Sequence, residues 1–212
     1  MMAAVVTISA TFGAGGSVIG PAVAERLGVP FVDRAIPYTV AADIGCSLEE
    51  ALVHDDRAEH GLGRILANAA RLPNVTLGGM DVYLPQRGVV PEEEFVTRTE
   101  QVIKEVADRG EGAVILGRAA QIVLAGHPAT LHVRLDGPRE RRIARVRESL
   151  EVSAEEAERL LADNDRARTA YVKHFYRADP ANPGLYHLVI DSTRLAAAAC
   201  VDIVVTAAHA IS

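Results

Sequence analysis

Apolar and polar positions fall along this chain in short blocks of distinct period. Val5 to Ser9 is a β-branched apolar run that breaks at a glycine-rich turn, Phe12-Gly13-Ala14-Gly15-Gly16. Apolar residues then recur at helical spacing at Val18, Ile19, Ala22, Val23 and Leu27, predicting a helix with those residues on one face. The pattern stops at Gly28, a residue suited to a left-handed cap, with Pro30 just beyond. Phe31-Val32 makes a brief strand leading to Asp33. Strand, glycine loop, helix, strand is the opening of a parallel α/β sheet.

The middle of the chain reads as largely helical. Ser47-Leu48-Glu49-Glu50 has the form of a capping box, and a second helix is predicted from His60 to Arg71. Pro73 to Val90, with Gly78-Gly79, Pro85 and Gly88, is a long irregular loop of the kind that serves as a lid. Pro91-Glu92-Glu93-Glu94 opens another helix, its acids complementing the dipole rather than holding a metal, and Val102, Ile103 and Val106 give it an apolar stripe.

Beyond Ala113 the pattern tightens. Ala113 to Leu116 is a buried strand ending at Gly117-Arg118, and Thr130 to Leu135 is another. Pro138 to Leu150 is a helix with five arginines. Ser153-Ala154-Glu155-Glu156 caps a long helix reaching Tyr176; Leu188 to Ile190 is a last strand before Asp191, and an alanine-rich helix closes the chain. The expected architecture is a three-layer α/β fold on a five-stranded parallel sheet.

At 212 residues there is room for one compact domain with an insert. A hydrophobic fraction of 49% supports an ordinary core, and a formal net charge of −6 argues against a general nucleic-acid coat while leaving small anionic ligands open. Cys46 and Cys200 lie far apart and suit a reduced cytosol, with a disulfide between them still open. No apolar run of about 18 residues predicts a membrane span. The apolar stretch at the N-terminus lacks a basic flank and is too short for a signal peptide. The seven histidines are scattered, and neither His127 with His132 nor His54 with His60 has helical ligand spacing, so no zinc site is expected. These features predict a cytoplasmic protein, away from membranes; a homo-oligomer is compatible with all of them.

A strand feeding a glycine turn and a helix N-terminus points several backbone N–H groups at one place, and phosphate is the natural guest. The P-loop pattern is G-x-x-x-x-G-K-[ST], and here it reads Ala10-Thr11-Phe12-Gly13-Ala14-Gly15-Gly16-Ser17. The last glycine and the serine fit; Ala10 stands for the first glycine and Gly16 for the lysine. A tight turn that merely joins strand to helix is the competing reading. Ser17 sits where such a serine ligates magnesium, or else satisfies local backbone donors at the helix start. Arg118 follows a buried strand and so lies near the ligand edge of the sheet, with a surface salt bridge as its alternative. Asp33 and Arg34 face the same crevice, though Asp33 can also cap a helix.

Arg139, Arg141, Arg142, Arg145 and Arg147 crowd one helix, with Ile143, Val146 and Leu150 turned toward the core. Glu140 and Glu148 offer them local partners; one or two reaching a phosphate is the functional reading, with Arg145 first and Arg141 next. Asp165 and Arg168 are three apart, the spacing of an intrahelical pair.

Taken in order, these segments resemble the cytidylate-kinase-like family of P-loop proteins, which carries Gly-x-Gly-Gly in place of the lysine-bearing loop. Val6 to Gly28 resembles, without a gap, the opening of bacterial cytidylate kinases. Phe31 to Tyr38, Val114 to Arg118, Leu131 to Arg147, Asn164 to Arg168 and Leu188 to Ser192 follow in the family's order. The resemblance is weak over residues 45 to 90.

It implies one P-loop kinase-like domain over residues 1–212, with its core at about 1–34, 91–138 and 186–212. A helical monophosphate-binding insert would span about 35–90 and an arginine-rich lid about 139–176. It also implies ATP and Mg2+, phosphates held on the backbone of Gly13, Ala14, Gly15, Gly16, Ser17 and Val18, and magnesium on Ser17. Arg145, Arg141 and Arg118 are the implied catalytic charges. Asp33, Arg34, Arg118, Asp165 and Arg168 are the implied acceptor contacts.

Departures from the pattern are Gly16 for the lysine, Leu116 for a Walker-B-type aspartate, Thr39 for an arginine and Ala119 for an acid. Ala10 likewise lacks the arginine of the Gly-x-Gly-Gly relatives. Three functions follow: an ATP- and magnesium-dependent nucleoside monophosphate kinase, a kinase for another acceptor, or a non-catalytic nucleotide- or anion-binding module that regulates a partner.

Overall fold

The computed structural model describes residues 4–33 and 92–211. Arg34, Thr39, Cys46, the capping box at Ser47, the helix from His60 to Arg71 and the loop from Pro73 to Val90 lie outside the described residues.

In chain order the elements are β1 (Val5–Ala10), α1 (Gly16–Leu27), β2 (Phe31–Asp33), α2 (Glu92–Asp108), β3 (Ala113–Leu116) and α3 (Ala120–Val123). β4 (Thr130–Asp136), α4 (Arg139–Leu150), α5 (Ala154–Tyr176), β5 (Leu188–Asp191) and α6 (Ala197–Ile211) complete them. The strands form one five-stranded sheet in the order β2-β3-β1-β4-β5, and every pairing is parallel. β1 is central: β2, next in the chain, lies at one edge, β3 returns to pair between it and β1, and the chain then crosses to β4 and β5 on the other side. That reversal leaves a crevice at the C-terminal end of β1, where ligands of open α/β sheets collect.

The strand alternation sorts the two faces. Val6, Ile8, Val114, Leu131, Val133 and Leu135 pack against α1 and α6 through Ile19, Val23, Val201 and Val204. Val5, Ala113 and Ile115 pack on the other side against Ile103 and Ala107 of α2 and against Ala120 and Leu124 in and after α3. Gly28 caps α1 in the left-handed conformation with φ 68°, and Ser153 Oγ accepts the Glu156 N–H at the start of α5, as their residue types require.

One residue departs from its expected face. Val18 is 52% exposed, and the buried stripe of α1 runs instead through Gly16, Ile19, Gly20, Val23 and Ala24. Gly20 belongs to it because a Cβ there would stand 2.9 Å from the Phe31 ring. α4 and α5 form a helical hairpin whose apolar sides enclose Phe12 of the glycine turn, with Val146, Ala157, Leu160 and Leu161 around it. No described helix is long and apolar enough to cross a membrane.

On the α2 side the sheet also carries a buried polar stripe. His132 Nδ1 and Thr7 Oγ1 share a 2.8 Å hydrogen bond, and the His132 N–H donates to His187 Nδ1. The two imidazoles stack at 4.9 Å. Burial, aided by the neighbouring His187, lowers the His132 pKa from 6.5 to about 4. The unfolded chain therefore binds the proton more readily than the folded one, so the contribution of His132 to stability is full above pH 6.5 and is lost as pH drops toward 4. Urea unfolding across pH 4–7 should show this loss, and His132→Asn should flatten it; an unchanged slope in the variant would assign the acid sensitivity to other groups.

Candidate functional site

The turn between β1 and α1 is held by its carbonyl oxygens. Arg168 Nη1 of α5 donates to Ala10 O, the Ala14 N–H to Thr11 O, Arg142 Nη1 of α4 to Phe12 O at 3.1 Å, and Ser192 Oγ after β5 to Ala14 O at 2.7 Å. The Phe12 N–H donates to Asp165 Oδ1, whose other oxygen pairs with Arg142 at 2.7 Å. Thr11 Oγ1 donates to Asp136 Oδ1 at 2.8 Å.

With those contacts made, the N–H groups of Gly13, Gly15, Gly16 and Ser17 have no acceptor among the described residues. The last two open α1, where the first turn of any helix leaves its donors unpaired. Gly13 and Gly15 have φ 77° and 76°, a conformation that glycine adopts without strain. Gly13 has a second reason to be glycine, because a Cβ would stand 2.8 Å from Arg142 O.

Gly13, Gly15 and Ser17 of this set line a cavity of about 220 Å³, with Val18 beside them and Arg145, Glu148 and Ser149 of α4 above. Arg145 is half-buried, and a Cβ on Gly15 would lie 3.8 Å from its Nη1, which sets the guanidinium over the loop. Ser17 Oγ is buried and has no hydrogen-bond partner among the described residues. Within those residues no cluster of histidine, cysteine and acidic side chains suffices to hold a metal by itself.

The charges beneath the loop are mutually satisfied. Burial pushes the Asp136 carboxyl up, but hydrogen bonds from the Gly137 N–H, Thr11 and Arg134 outweigh it and hold the pKa below the usual range. Arg134 meets Asp136 through Nε and Nη2 at 3.1 and 2.7 Å.

The remaining expected residues divide. Asp33 ends β2 in register with Leu116 at the end of β3, on the same edge as the glycine turn but two strands from β1. Arg118 is 7% exposed and follows β3 in a run, Gly117-Arg118-Ala119, with φ values of 77°, 58° and 52°. Left-handed backbone in two non-glycine residues is costly, and such strain gathers at functional positions. Arg141 turns toward Asp191, 3.6 Å away at the end of β5. Asp165 and Arg168 reach the glycine turn rather than forming a local pair only.

Sequence reasoning did not single out Arg142, Asp136, Thr11 or Ser192. Arg142 carried a signal: it stands four residues before Val146 on the buried stripe of α4.

Position 16 explains the missing lysine. A Cβ on Gly16 would lie 2.6 Å from Ala10 Cβ and 3.3 Å from Leu116 Cδ1, so the three residues close the space together.

The profile of a family described as the cytidylate kinase-like family matches residues 5–194. A cytidylate kinase from Methanopyrus kandleri is 28% identical over 146 residues, covering 65% of this chain and 75% of that protein. Among solved structures, an uncharacterized protein from Eubacterium ventriosum superposes with a TM-score of 0.66 at 16% identity, covering 97% of this chain and 98% of its own. A gluconokinase from Sinorhizobium meliloti gives a TM-score of 0.50 at 14% identity, with coverage of 99% and 93%. At these identities the two structures speak to the fold.

The packing at Gly16 gives a test by double substitution. Gly16→Ala should destabilise the protein by about 1–3 kcal/mol through overpacking, and adding Ala10→Gly should recover part of that loss. Urea midpoints of the two single variants and the double variant measure the coupling; strictly additive effects would mean that the loop relaxes around the new methyl group.

Proposed function

Because the chain belongs to the cytidylate kinase-like family, we propose that it transfers a phosphoryl group from ATP, with magnesium, to a small acceptor in the cytoplasm, a nucleoside monophosphate first among the candidates. The observation that carries this reading is the set of unspent N–H groups of Gly13, Gly15 and Ser17, which share one cavity with Arg145, with that of Gly16 between them in the chain. Backbone donors at a helix N-terminus hold phosphate oxygens in the ground state. Arg145 then supplies charge over the transferring group, in the place of the lysine that Gly16 lacks. The orphaned Ser17 oxygen fits a hard cation, which would supply charge neutralisation across the donor phosphates.

In this reading Arg118 receives the acceptor phosphate, with Asp33 on the same edge; Arg34, the next residue in sequence, is proposed as a further acceptor contact. Arg141, tied to Asp191, supports the donor side of the site. Asp165 and Arg168 act through the loop backbone they hold, as positioning residues.

A second reading, a nucleotide- or anion-binding module without turnover, draws on the closed packing of Ala10, Gly16 and Leu116, which removes both the lysine and the strand-end acid.

A phosphotransfer screen separates the two. Purified protein with ATP and magnesium is offered a panel of nucleoside monophosphates and other small hydroxyl or phosphate acceptors, with ATP hydrolysis as control. Arg145→Ala should lower turnover about a thousandfold or more while keeping nucleotide affinity within about tenfold. Arg118→Ala should raise the acceptor KM with little change in Tm. Nucleotide binding without turnover of any acceptor would favour the module; full activity in Arg145→Ala would place the transition-state charge elsewhere.

A further inference from the structure

The cavity above the glycine turn contains one group that phosphate chemistry does not explain. Glu148 lines it one helical turn beyond Arg145 on α4, with Ser149 beside it. The other acids around the glycine turn are committed: Asp136 to Thr11 and Arg134, Asp165 to Phe12 and Arg142, and Asp191 to Thr193 and Arg141. Glu148 has no ion pair among the described residues.

A carboxylate set directly against phosphate oxygens is repelled, so what meets Glu148 in a filled site is a hydrogen-bond donor or a cation. The position narrows the choice. Phosphates belong over Gly13 to Ser17; Val18 is the next residue along α1, and its 52% exposed side chain forms an apolar patch at the same cavity. Arg145 and Glu148 are separated by about 4.5 Å of helix rise, so one face of α4 offers a cation toward the phosphates and an acceptor just beyond them. The part of a nucleotide that follows its phosphates, with an apolar face and two adjacent hydroxyl donors, is the ribose.

Resting on the reading of the donor as a nucleoside triphosphate, we propose that Glu148 accepts hydrogen bonds from the 2′ and 3′ hydroxyls of the donor ribose. Glu148 thereby selects ribonucleotide over deoxyribonucleotide donors. Val18 supports the sugar from below. A site that hydrogen-bonds a substrate hydroxyl discriminates against the analogue lacking it, because the protein acceptor is then left unpaired.

The test is calorimetric binding to the full chain of ATP, 2′-deoxyATP, 3′-deoxyATP and inorganic tripolyphosphate, each with magnesium and with chelator. Wild type should bind ATP roughly tenfold or more tightly than either deoxynucleotide, the scale of one charge-assisted hydrogen bond. Glu148→Ala should bring the three nucleotides within about twofold while leaving tripolyphosphate as tightly bound or tighter. Glu148→Gln, which keeps an acceptor oxygen, should retain part of the preference. Equal wild-type affinity for ATP and its deoxy analogues overturns the proposal, as does a preference that survives Glu148→Ala. Loss of the magnesium-dependent part of binding for all four ligands alike would make Glu148 a metal ligand instead. If ATP binds and turns over but the ratios ignore Glu148, the ribose assignment alone fails; if none of the four binds wild type, the donor reading fails with it.

Discussion

A loop can hold an anion only if its own carbonyl oxygens are kept out of the way, since every peptide that offers an N–H also carries an acceptor that repels the guest. In this protein the carbonyls of Ala10, Thr11, Phe12 and Ala14 are each bound by a donor from within the fold: Arg168, the Ala14 N–H, Arg142 and Ser192. Three of these braces come from different elements, α5, α4 and the segment after β5. The geometry of the loop thus depends on the completed tertiary structure and not on its glycines alone. The glycines permit the conformation; the long-range donors select it.

Phe12 ties the same loop to the hairpin by a different force. Its ring is 1% exposed among residues of α4 and α5, and burying a phenylalanine side chain contributes about 1.5–3 kcal/mol. The apolar anchor and the polar braces act on successive residues. Loop and hairpin therefore move as one body at their contact, and any closure of the region 139–176 over a ligand has to hinge away from Phe12. Arg145 rides on the anchored part of α4, so its guanidinium is placed over the loop before a ligand arrives, which is the condition for electrostatic stabilisation without reorganisation.

The sequence reveals most where structure is local. Ala113–Leu116 and the Ser153-capped helix to Tyr176 follow from apolar runs and a cap whose partner is three residues away. Val18 shows the limit of such reading. Its helical spacing puts it on one face with Ile19, Ala22, Val23 and Leu27, yet it stands 52% exposed at the first turn of α1.

The partners of the glycine turn are harder still. Asp165 and Arg168 have the spacing of a local pair, but they act on Phe12 and Ala10, separated from them by 153 and 158 residues. Five arginines on one helix look alike as residue types; only their position around the axis separates Arg142, buried beneath the loop, from Arg145 above it. Nothing in the residue type or spacing of Asp136 and Ser192 marks their roles, which exist only once β4 and β5 have brought them beside β1.

The packing of Ala10, Gly16 and Leu116 also bears on how such a loop changes over generations. A lysine at position 16 does not fit by one substitution without displacing its neighbours, since the space for its first carbon is occupied by two other side chains. Shrinking Ala10 or Leu116 first would open a void at the sheet edge with no immediate benefit. Each single step is unfavourable, and only their combination restores room. Added positive charge at this cavity therefore has an easier path through the exposed face of α4 than through position 16.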